Sequence, residues 1–483
     1  MASFARSQLR WSPPARLTEL ASLAYRTPKT MKRPTRRHCV FLLVLLTPLL
    51  VHFGDGSSAA AQMSRRFKPS CVGKHSIREL EKSIRAHNEH TYRMERKYSA
   101  MYYFTGKVPE AAIRRGQLED AAKFLEDLER WPTGIIFYAR RGEKLCSWLV
   151  WRPRDASGVA GLLGAEPIGE TGLAAIQVVT SLADRQVRSS LDRLIDALRD
   201  PNPRSIPANV LAEVSPVLVP DAIAAVLIQH RIERLVVVPV TVGMGPQDDL
   251  PLATVPFPAL RVGSRDLVDL MSVVIAPGFY AFTGRPAAFE MRPPIPACVI
   301  ADPMGDLAGA RQESEMLDNI VLASSECKDF SNKNELQDIL DGNTSFELIH
   351  LATHAYADSL NPLDQSYVEL GIDQWTAREI SHLALPGRPL VVMSACETGR
   401  GRNFGVGTIG LARSWQWAGA SNVVMSLWRV DDAATRDLMV DFVRRVSMLP
   451  PDIALQRAMK RARRENPNPA LWAGFTVFGA PMR

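Results

Sequence analysis

The segment that decides the fold is Phe346–His354, FELIHLATH, an apolar run that ends in a threonine and a histidine. A second segment, Pro389–Cys396, PLVVMSAC, follows the same pattern and ends in a cysteine. Continuous apolar runs of this length are typical of strands buried on both faces of a parallel sheet. Sites in such sheets form beyond the carboxyl ends of the strands. We therefore expect His354 and Cys396 to meet at one edge of a sheet.

Strands and helices alternate on both sides of these two segments. Apolar runs predict strands at residues 134–139, 145–151, 235–238, 297–301, 346–352, 390–394 and 422–427. A charged turn at 140–144 predicts that the first two strands form a hairpin. Helices are expected around 187–198 and from Thr376, where a capping box reaches Glu379. This alternation predicts an α/β fold, a layered and mostly parallel sheet with flanking helices.

A short helical region precedes this domain. Charged, periodic sequence from Ser76 to Met101 predicts an amphipathic helix. A second helix is expected from Gly116 to Leu128. We divide the chain into a leader at 1–61, a helical N-terminal region at 62–130 and the α/β domain at 131–483.

The leader has the features of a secretory signal peptide. A basic segment, Arg33–Arg37, precedes the apolar run Cys39–Phe53, and small residues up to Ala61 follow as a cleavage site. The run is short for a membrane span, which needs about 20 apolar residues. Met31 begins a more typical signal peptide than Met1 does. We expect a periplasmic or secreted protein cleaved near Ala61, the alternative being a membrane anchor formed by an uncleaved leader.

The positive charge of the chain is confined to the leader. The net charge is +7, but the leader holds nine of the 58 Lys and Arg and two of the 51 Asp and Glu, so the remainder has 49 of each. A neutral remainder argues against nucleic acid as a partner.

The cysteines indicate neither a zinc site nor a dense disulfide framework. Apart from Cys39 in the leader, Cys71, Cys146, Cys298, Cys327 and Cys396 are scattered and form no C-x-x-C pair. In an oxidising compartment this odd number leaves at least one free thiol or an intermolecular partner.

The paired strand ends suit nucleophilic catalysis. A thiol attacks as its thiolate, and a nearby imidazole lowers the thiol pKa and returns the proton to a leaving amine. We expect the backbone N–H of Cys396 to help stabilise an oxyanion. The alternative for a lone cysteine after an apolar strand is a small, buried hydrophobic residue, which is the more frequent case. His350 lies in the middle of its strand, and we expect it to be a buried, hydrogen-bonded structural residue.

Several ordered blocks resemble the CHAT domain, a bacterial caspase-like family related to separase within the wider caspase and gingipain group. The matching blocks are HLATH (350–354), NPL (361–363), SACETG (394–399), GVG (405–407), WAGA (417–420) and SLWRVDD (426–432), with Ala301–Pro303 and Glu315 upstream. The likeness covers about residues 130–483.

This resemblance implies a cysteine endopeptidase that needs no metal or cofactor and acts on a protein or peptide. His354 would be the general base and Cys396 the nucleophile. The oxyanion would bind the backbone N–H groups of Cys396 and of Ala355, a position where active members usually have glycine. Related separases place an acidic residue in the last block to receive a substrate arginine. Asp432, beside Asp431, matches it best and implies cleavage after a basic residue, the alternative being that these aspartates cap the helix starting near Ala433.

Two other functions remain open from the sequence. One is a catalytically dormant CHAT-fold scaffold whose N-terminal helices bind a regulatory protein. The other is a nucleotide-dependent enzyme, because Gly405–Gly410 matches G-x-G-x-x-G. That motif lies nearly ten residues beyond its strand, whereas a dinucleotide-binding turn follows its strand at once. Close helix–sheet packing beside the site is the simpler interpretation of these glycines.

Overall fold

The computed structural model describes residues 77–89, 91, 117–128, 130–154, 165–199, 206–239, 252–358, 360–395, 398, 402–404 and 407–483. The predicted leader and the predicted nucleophile Cys396 lie outside the described residues. All features below belong to the described part of the chain.

The strands form one large sheet and three small ones. In chain order they are β1 (Thr133–Arg141), β2 (Lys144–Trp151), β3 (Glu166–Ile168), β4 (Leu173–Ser181), β5 (Arg234–Val238), β6 (Arg261–Val262), β7 (Arg265–Asp266), β8 (Ser272–Ile275), β9 (Ile295–Ala301), β10 (Val321–Ala323), β11 (Leu348–Ala352), β12 (Ala355–Tyr356), β13 (Tyr367–Leu370), β14 (Asp373–Thr376), β15 (Leu390–Met393), β16 (Arg402–Phe404), β17 (Gly407–Ile409), β18 (Asn422–Ser426) and β19 (Phe475–Gly479).

Helices fill most of the intervals between the strands. They are α1 (residues 77–89), α2 (Leu118–Glu126), α3 (Arg185–Arg199), α4 (Ala208–Leu218), α5 (Asp221–Gln229), α6 (Leu267–Leu270), α7 (Ala308–Leu317), α8 (Glu326–Asp329), α9 (Lys333–Leu340), α10 (Ala377–Ser381), α11 (Leu411–Ala418), α12 (Asp432–Val446), α13 (Pro451–Glu465) and α14 (Pro469–Trp472). Short 3-10 turns occur at Leu252–Thr254, Phe257–Ala259 and Phe279–Phe282.

The large sheet has twelve strands in the order β10-β9-β11-β15-β18-β19-β8-β5-β1-β2-β4-β3. The five strands from β10 to β18 run parallel to one another. The four strands from β19 to β1 also run parallel to one another. These two blocks meet antiparallel at β18 and β19, and the last three strands are antiparallel. Because the blocks run in opposite directions, the ends of β11 and β15 lie at the same edge as the starts of β8 and β5.

The first strand separates two apolar clusters, because successive side chains point to opposite faces of a sheet. Phe137 packs in one cluster with Leu80 and Ile84 of α1 and with Phe124 of α2, and all four side chains are almost fully buried. Tyr138 packs in the other cluster on the opposite face. The N-terminal helices therefore cover the sheet with their apolar sides.

The structure confirms the predicted fold class and the predicted elements that it describes. The hairpin is β1 and β2, the buried strand at 235–238 is β5, and α3 covers the helix expected at 187–198. Thr376 caps α10 and forms the predicted capping box with Glu379. Among the described residues no single helix is long and apolar enough to cross a membrane, and one bent pair, α4 with α5, passes by length and composition alone.

Candidate active site

The two segments that carry the predicted dyad lie side by side. Strand β11 pairs parallel with β15, and Leu351 is in register with Met393. His354 follows the end of β11 by two residues. Cys396 would follow the end of β15 by three, but it lies outside the described residues. The strand arrangement predicted from the sequence is therefore present. That the side chains of His354 and Cys396 meet stays a prediction.

The imidazole of His354 has an acidic partner at this edge. Its Nε2 lies 3.0 Å from Oδ1 of Asp306, and the two side chains are 39% and 61% exposed. A carboxylate in this position holds the ring in one orientation and favours one tautomer. Asp306 was not predicted from the sequence. It lies in the loop after β9, the neighbour of β11, so the order of strands is what brings it to the edge.

Asp302 shapes the loop that presents Asp306. It has a left-handed backbone (φ 49°), and its backbone N–H donates to the carbonyl of Ala352 at the end of β11 (2.8 Å). Its Oδ1 accepts the backbone N–H groups of Asp306 and Leu307, both at 2.8 Å, and Oδ2 contacts Arg311. Asp302 therefore holds the loop with its buried carboxylate and joins the loop, through its backbone N–H, to the strand that leads to His354.

A second buried carboxylate connects the two strands. Glu313 of α7 has Oε1 2.6 Å from Nε2 of His350, and its Oε2 accepts a hydrogen bond from the Ser394 hydroxyl at 3.0 Å. Burial raises the pKa of Glu313, and the hydrogen bonds from His350 and Ser394 partly offset this rise. His350 is fully buried, so its predicted structural, hydrogen-bonded role is confirmed. Glu315, the acid singled out by family resemblance, is exposed.

The chain on either side of Cys396 is attached to β18. Ser426, the last residue of β18, donates its hydroxyl to the carbonyl of Ala395. The backbone N–H of Thr398 donates to the Ser426 hydroxyl at 3.1 Å, and the Ser426 N–H donates to the Thr398 hydroxyl at 2.8 Å. All three residues are almost fully buried. The ends of this short segment are thus held beside the end of β18.

The two predicted substrate-binding aspartates begin α12. Asp431 is the N-cap, and its Oδ1 accepts the backbone N–H of Ala434 at 2.9 Å. Asp432 Oδ2 accepts the backbone N–H of Gly309, at the start of α7, at 2.7 Å. A Cβ on Gly309 would lie 2.4 Å from the Asp432 carboxyl carbon, so only glycine allows this approach. The capping interpretation therefore holds for Asp431, and substrate binding by either residue stays a prediction.

The model of the CHAT domain matches residues 210–480, more than half of the chain. The chain belongs to the CHAT domain family. Comparison with curated protein sequences gives no significant match. The sheet of this CHAT protein also includes β1–β4, which precede the matched residues.

The structure is also similar to three solved structures with little sequence identity to it. One is the separase–securin complex of Saccharomyces cerevisiae, with 10% identity and a TM-score of 0.42 over 77% of this chain and 31% of that chain. A second is the Arg-specific cysteine proteinase gingipain R, with 12% identity and a TM-score of 0.36 over 55% and 68%. The complex of the Porphyromonas gingivalis RgpB pro- and mature domains has 11% identity and a TM-score of 0.34 over 62% and 77%. The CHAT chain thus spans about a third of the separase chain.

Ala355 of the CHAT domain has an ordinary backbone conformation. It lies in β12 opposite Val368 of β13 and packs partly against the main core. The described non-glycine residues with left-handed backbones are Arg231, Asp302 and Arg388, so Ala355 is not one of them. The conformation seen here therefore does not require glycine, and the oxyanion role of Ala355 stays a prediction.

The described part of the glycine motif of the CHAT domain includes a short strand, Gly407–Ile409. Strands β16 and β17 pair antiparallel, with Phe404 opposite Gly407, and α11 begins after Gly410. A dinucleotide-binding turn instead joins a strand of the main sheet directly to a helix. The geometry favours the packing interpretation over nucleotide binding.

One disulfide was missed by sequence reasoning. Cys298 in β9 and Cys327 in α8 are bonded and fully buried. They are 29 residues apart and follow no recognisable spacing, so only the packing of α8 against β9 brings them together. Cys146, in β2, is buried.

Proposed function

We propose that this chain is an exported, caspase-like cysteine endopeptidase with Cys396 as nucleophile and His354 as general base. The observation that carries the proposal is the parallel pairing of β11 with β15, because adjacent parallel strands direct the residues after them to one edge. Membership of the CHAT family agrees with cysteine peptidase chemistry.

The proposed reaction uses the two nitrogens of His354 differently. Asp306 contacts Nε2, so Nδ1 takes the proton from the Cys396 thiol. The thiolate attacks the scissile carbonyl, and the backbone N–H groups of Cys396 and Ala355 stabilise the resulting oxyanion. His354 returns the proton to the leaving amine. The acyl part of the substrate stays bound to the sulfur of Cys396 as a thioester. Water, deprotonated by His354, then hydrolyses the thioester and releases the acid and the free thiol.

Substrate preference is assigned to Asp432. The Gly309 N–H holds one carboxylate oxygen, which fixes the group at the start of α12. A fixed carboxylate beside the catalytic edge favours a guanidinium or ammonium in the bound peptide. Replacing Asp432 with asparagine should reduce the preference for cleavage after arginine or lysine. Asp431→Ala should instead mainly lower stability, because alanine cannot cap the helix as Asp431 does.

Export is supported by two independent features. The leader has the pattern of a signal peptide. The buried disulfide between Cys298 and Cys327 suits an oxidising compartment, because such bonds are rare in cytosolic proteins. Edman sequencing of chain recovered outside the cytoplasm should begin near Gln62. A start upstream of Arg33 would instead favour the membrane-anchored alternative.

A regulatory partner at the N-terminal helices is also part of the proposal. The apolar sides of α1 and α2 are packed against β1 and β2, so such a partner would contact their outer, polar sides. Polar contacts of this kind suit a reversible regulator more than a permanent subunit.

The deciding experiment measures the alkylation rate of Cys396 against pH, resolved by peptide mass spectrometry. We expect rapid labelling near or below neutral pH, slowed in His354→Ala, because a thiolate–imidazole pair has a depressed thiol pKa. Cys146 is the internal control, since it is buried and should label slowly in both proteins. Labelling of Cys396 only near the pKa of about 8.5 of an ordinary thiol, whether or not His354 is present, would favour the dormant scaffold instead.

A further inference from the structure

A basic cleft lies at the same edge of the sheet as the catalytic residues. Its volume is about 480 Å³, and its walls are α13, the end of α12 and the residues before β1, β5 and β8. Trp131, Glu233 and Leu270 are the wall residues that precede these strands. Since the second parallel block runs opposite to the first, the starts of its strands face the same way as the ends of β11 and β15.

The cleft carries an excess of positive charge. Helix α13 contributes Arg457, Lys460, Arg461 and Arg464, whose spacing of three and four residues puts them on neighbouring positions of one helix side. Like charges at this spacing oppose each other and weaken a helix by a few tenths of a kcal/mol per pair, so the fold itself gains little from them.

Acidic neighbours neutralise only part of this charge. Asp269 in the wall is paired with Arg463 at 2.8 Å, and Asp441 accepts hydrogen bonds from both Arg445 and Arg461. Within the described part of the chain, neither Arg457 nor Arg464 has a carboxylate partner. Both are exposed. Two guanidinium groups are therefore available to bind an anion.

The position of the cleft suits a polypeptide that also reaches the catalytic residues. Neighbouring strands are about 4.8 Å apart. Strand β8 is three strands from β15 and β5 is four strands from it, which gives about 14 and 19 Å. An extended peptide advances about 3.3 Å per residue, so about four to six residues cover this distance.

We propose that this cleft is an exosite for an acidic segment of the polypeptide substrate, an inference that rests on the proposed peptidase function. Glutamate or aspartate side chains about four to six residues from the scissile bond bind Arg457 and Arg464. The positive charge is local, because residues 62–483 have as many acids as bases. A local cleft of this size holds a few carboxylates, whereas a nucleic acid duplex or a bilayer needs an extended basic surface.

Binding is tested apart from cleavage, in the Cys396→Ala chain. The probe is a fluorescein-labelled ten-residue peptide rich in glutamate, compared by anisotropy with the same peptide carrying glutamine. We expect the glutamate peptide to bind and the glutamine peptide not to bind. In the double variant Arg457→Glu with Arg464→Glu, the affinity for the glutamate peptide should be about tenfold lower. The charge-matched control is Arg154→Glu with Arg185→Glu, two exposed arginines elsewhere, and it should leave binding unchanged. Higher salt should weaken binding.

Two results would overturn the exosite. One is equal binding of the peptide to both double variants. The other is tighter binding of a DNA oligonucleotide or an anionic vesicle through the same two arginines, which would assign the cleft to a different partner.

Cleavage then distinguishes the exosite from the peptidase function. In the active chain, peptides with acidic residues four to six positions from the scissile bond should have a lower KM, and Arg457→Glu with Arg464→Glu should remove this advantage without changing kcat. Peptide binding without cleavage of any substrate would overturn the peptidase and the substrate role of the exosite together. Cleavage that is indifferent to acidic residues would overturn the exosite alone.

Discussion

Nε2 of His350 lies 2.6 Å from Oε1 of Glu313, and both side chains are almost completely buried. The second oxygen of the same carboxylate accepts the hydroxyl of Ser394. His350 precedes His354 on β11, and Ser394 follows β15 just before Cys396. Glu313 therefore acts as a positioning residue that ties together the two strands leading to the proposed dyad.

Removing this tie should cost stability. Glu313→Ala leaves the buried polar groups of His350 and Ser394 without their partner, and we expect the free energy of unfolding to fall by about 1–3 kcal/mol. Glu313→Gln retains the shape and part of the hydrogen bonding and should lose less. Urea denaturation of the three proteins measures both changes. Equal stability of the alanine and glutamine variants would contradict a stabilising role of the hydrogen bonds that Glu313 forms with His350 and Ser394.

The same carboxylate should make stability depend on pH. Burial raises the pKa of Glu313 in the folded chain, so the unfolded chain loses this proton at lower pH than the folded chain does. The contribution of Glu313 to the free energy of unfolding is complete below the pKa of glutamate in the unfolded chain. It declines as the pH rises through the pKa of Glu313 in the folded chain. We expect the unfolding free energy of the natural chain, relative to Glu313→Gln, to fall across this window and then level off. A difference that stays constant with pH would show that Glu313 does not titrate this way.

Asp306 should affect turnover more than substrate binding. It contacts the imidazole of His354, so Asp306→Asn should lower kcat by about ten- to a hundredfold with little change in KM, because the base is less well oriented. Asp318→Asn, at the other end of α7, is the matched control and should keep normal activity. A loss confined to KM would place Asp306 in substrate binding instead.

A buried ion pair anchors α13 to the sheet. Arg234 Nε lies 2.7 Å from Asp452 Oδ2, with the side chains 0% and 2% exposed. Arg234→Met leaves the carboxylate buried without its counter-charge, and we expect a loss of about 3–5 kcal/mol in chemical denaturation. Arg188→Met removes an exposed ion pair to Glu143 and should cost less than about 1 kcal/mol. Similar losses of unfolding free energy in the two variants would show that burial of the ion pair does not increase its importance for stability.

The disulfide between Cys298 and Cys327 should stabilise the fold. It closes a loop over a separation of 29 residues, which restricts the unfolded chain and is worth about 3–4 kcal/mol. The unfolding free energy should therefore fall on addition of dithiothreitol. The variant with serine at both positions should be less stable and insensitive to the reductant. An effect of dithiothreitol on that variant would assign the change to another cysteine.

Local sequence patterns predicted much of the fold. The apolar runs of β5, β11 and β15 are buried as continuous runs should be, and the capping box at Thr376 starts α10 as expected. These features follow from neighbouring residues alone. The direction in which β19, β8, β5 and β1 run does not, because strand pairing depends on contacts between residues far apart in sequence.

The sequence by itself determined the α/β class, the strands that lead to His354 and Cys396, and the chemistry that these residue types can perform. Only the tertiary structure decided that Asp306 contacts His354, that Glu313 joins β11 to β15, and that the basic side of α13 shares their edge. The physical reason is that apolar runs and their periodicity are local properties of the chain. Which acid meets which base depends on the order of the strands, and the position of α13 at the same edge depends on the reversal between β18 and β19.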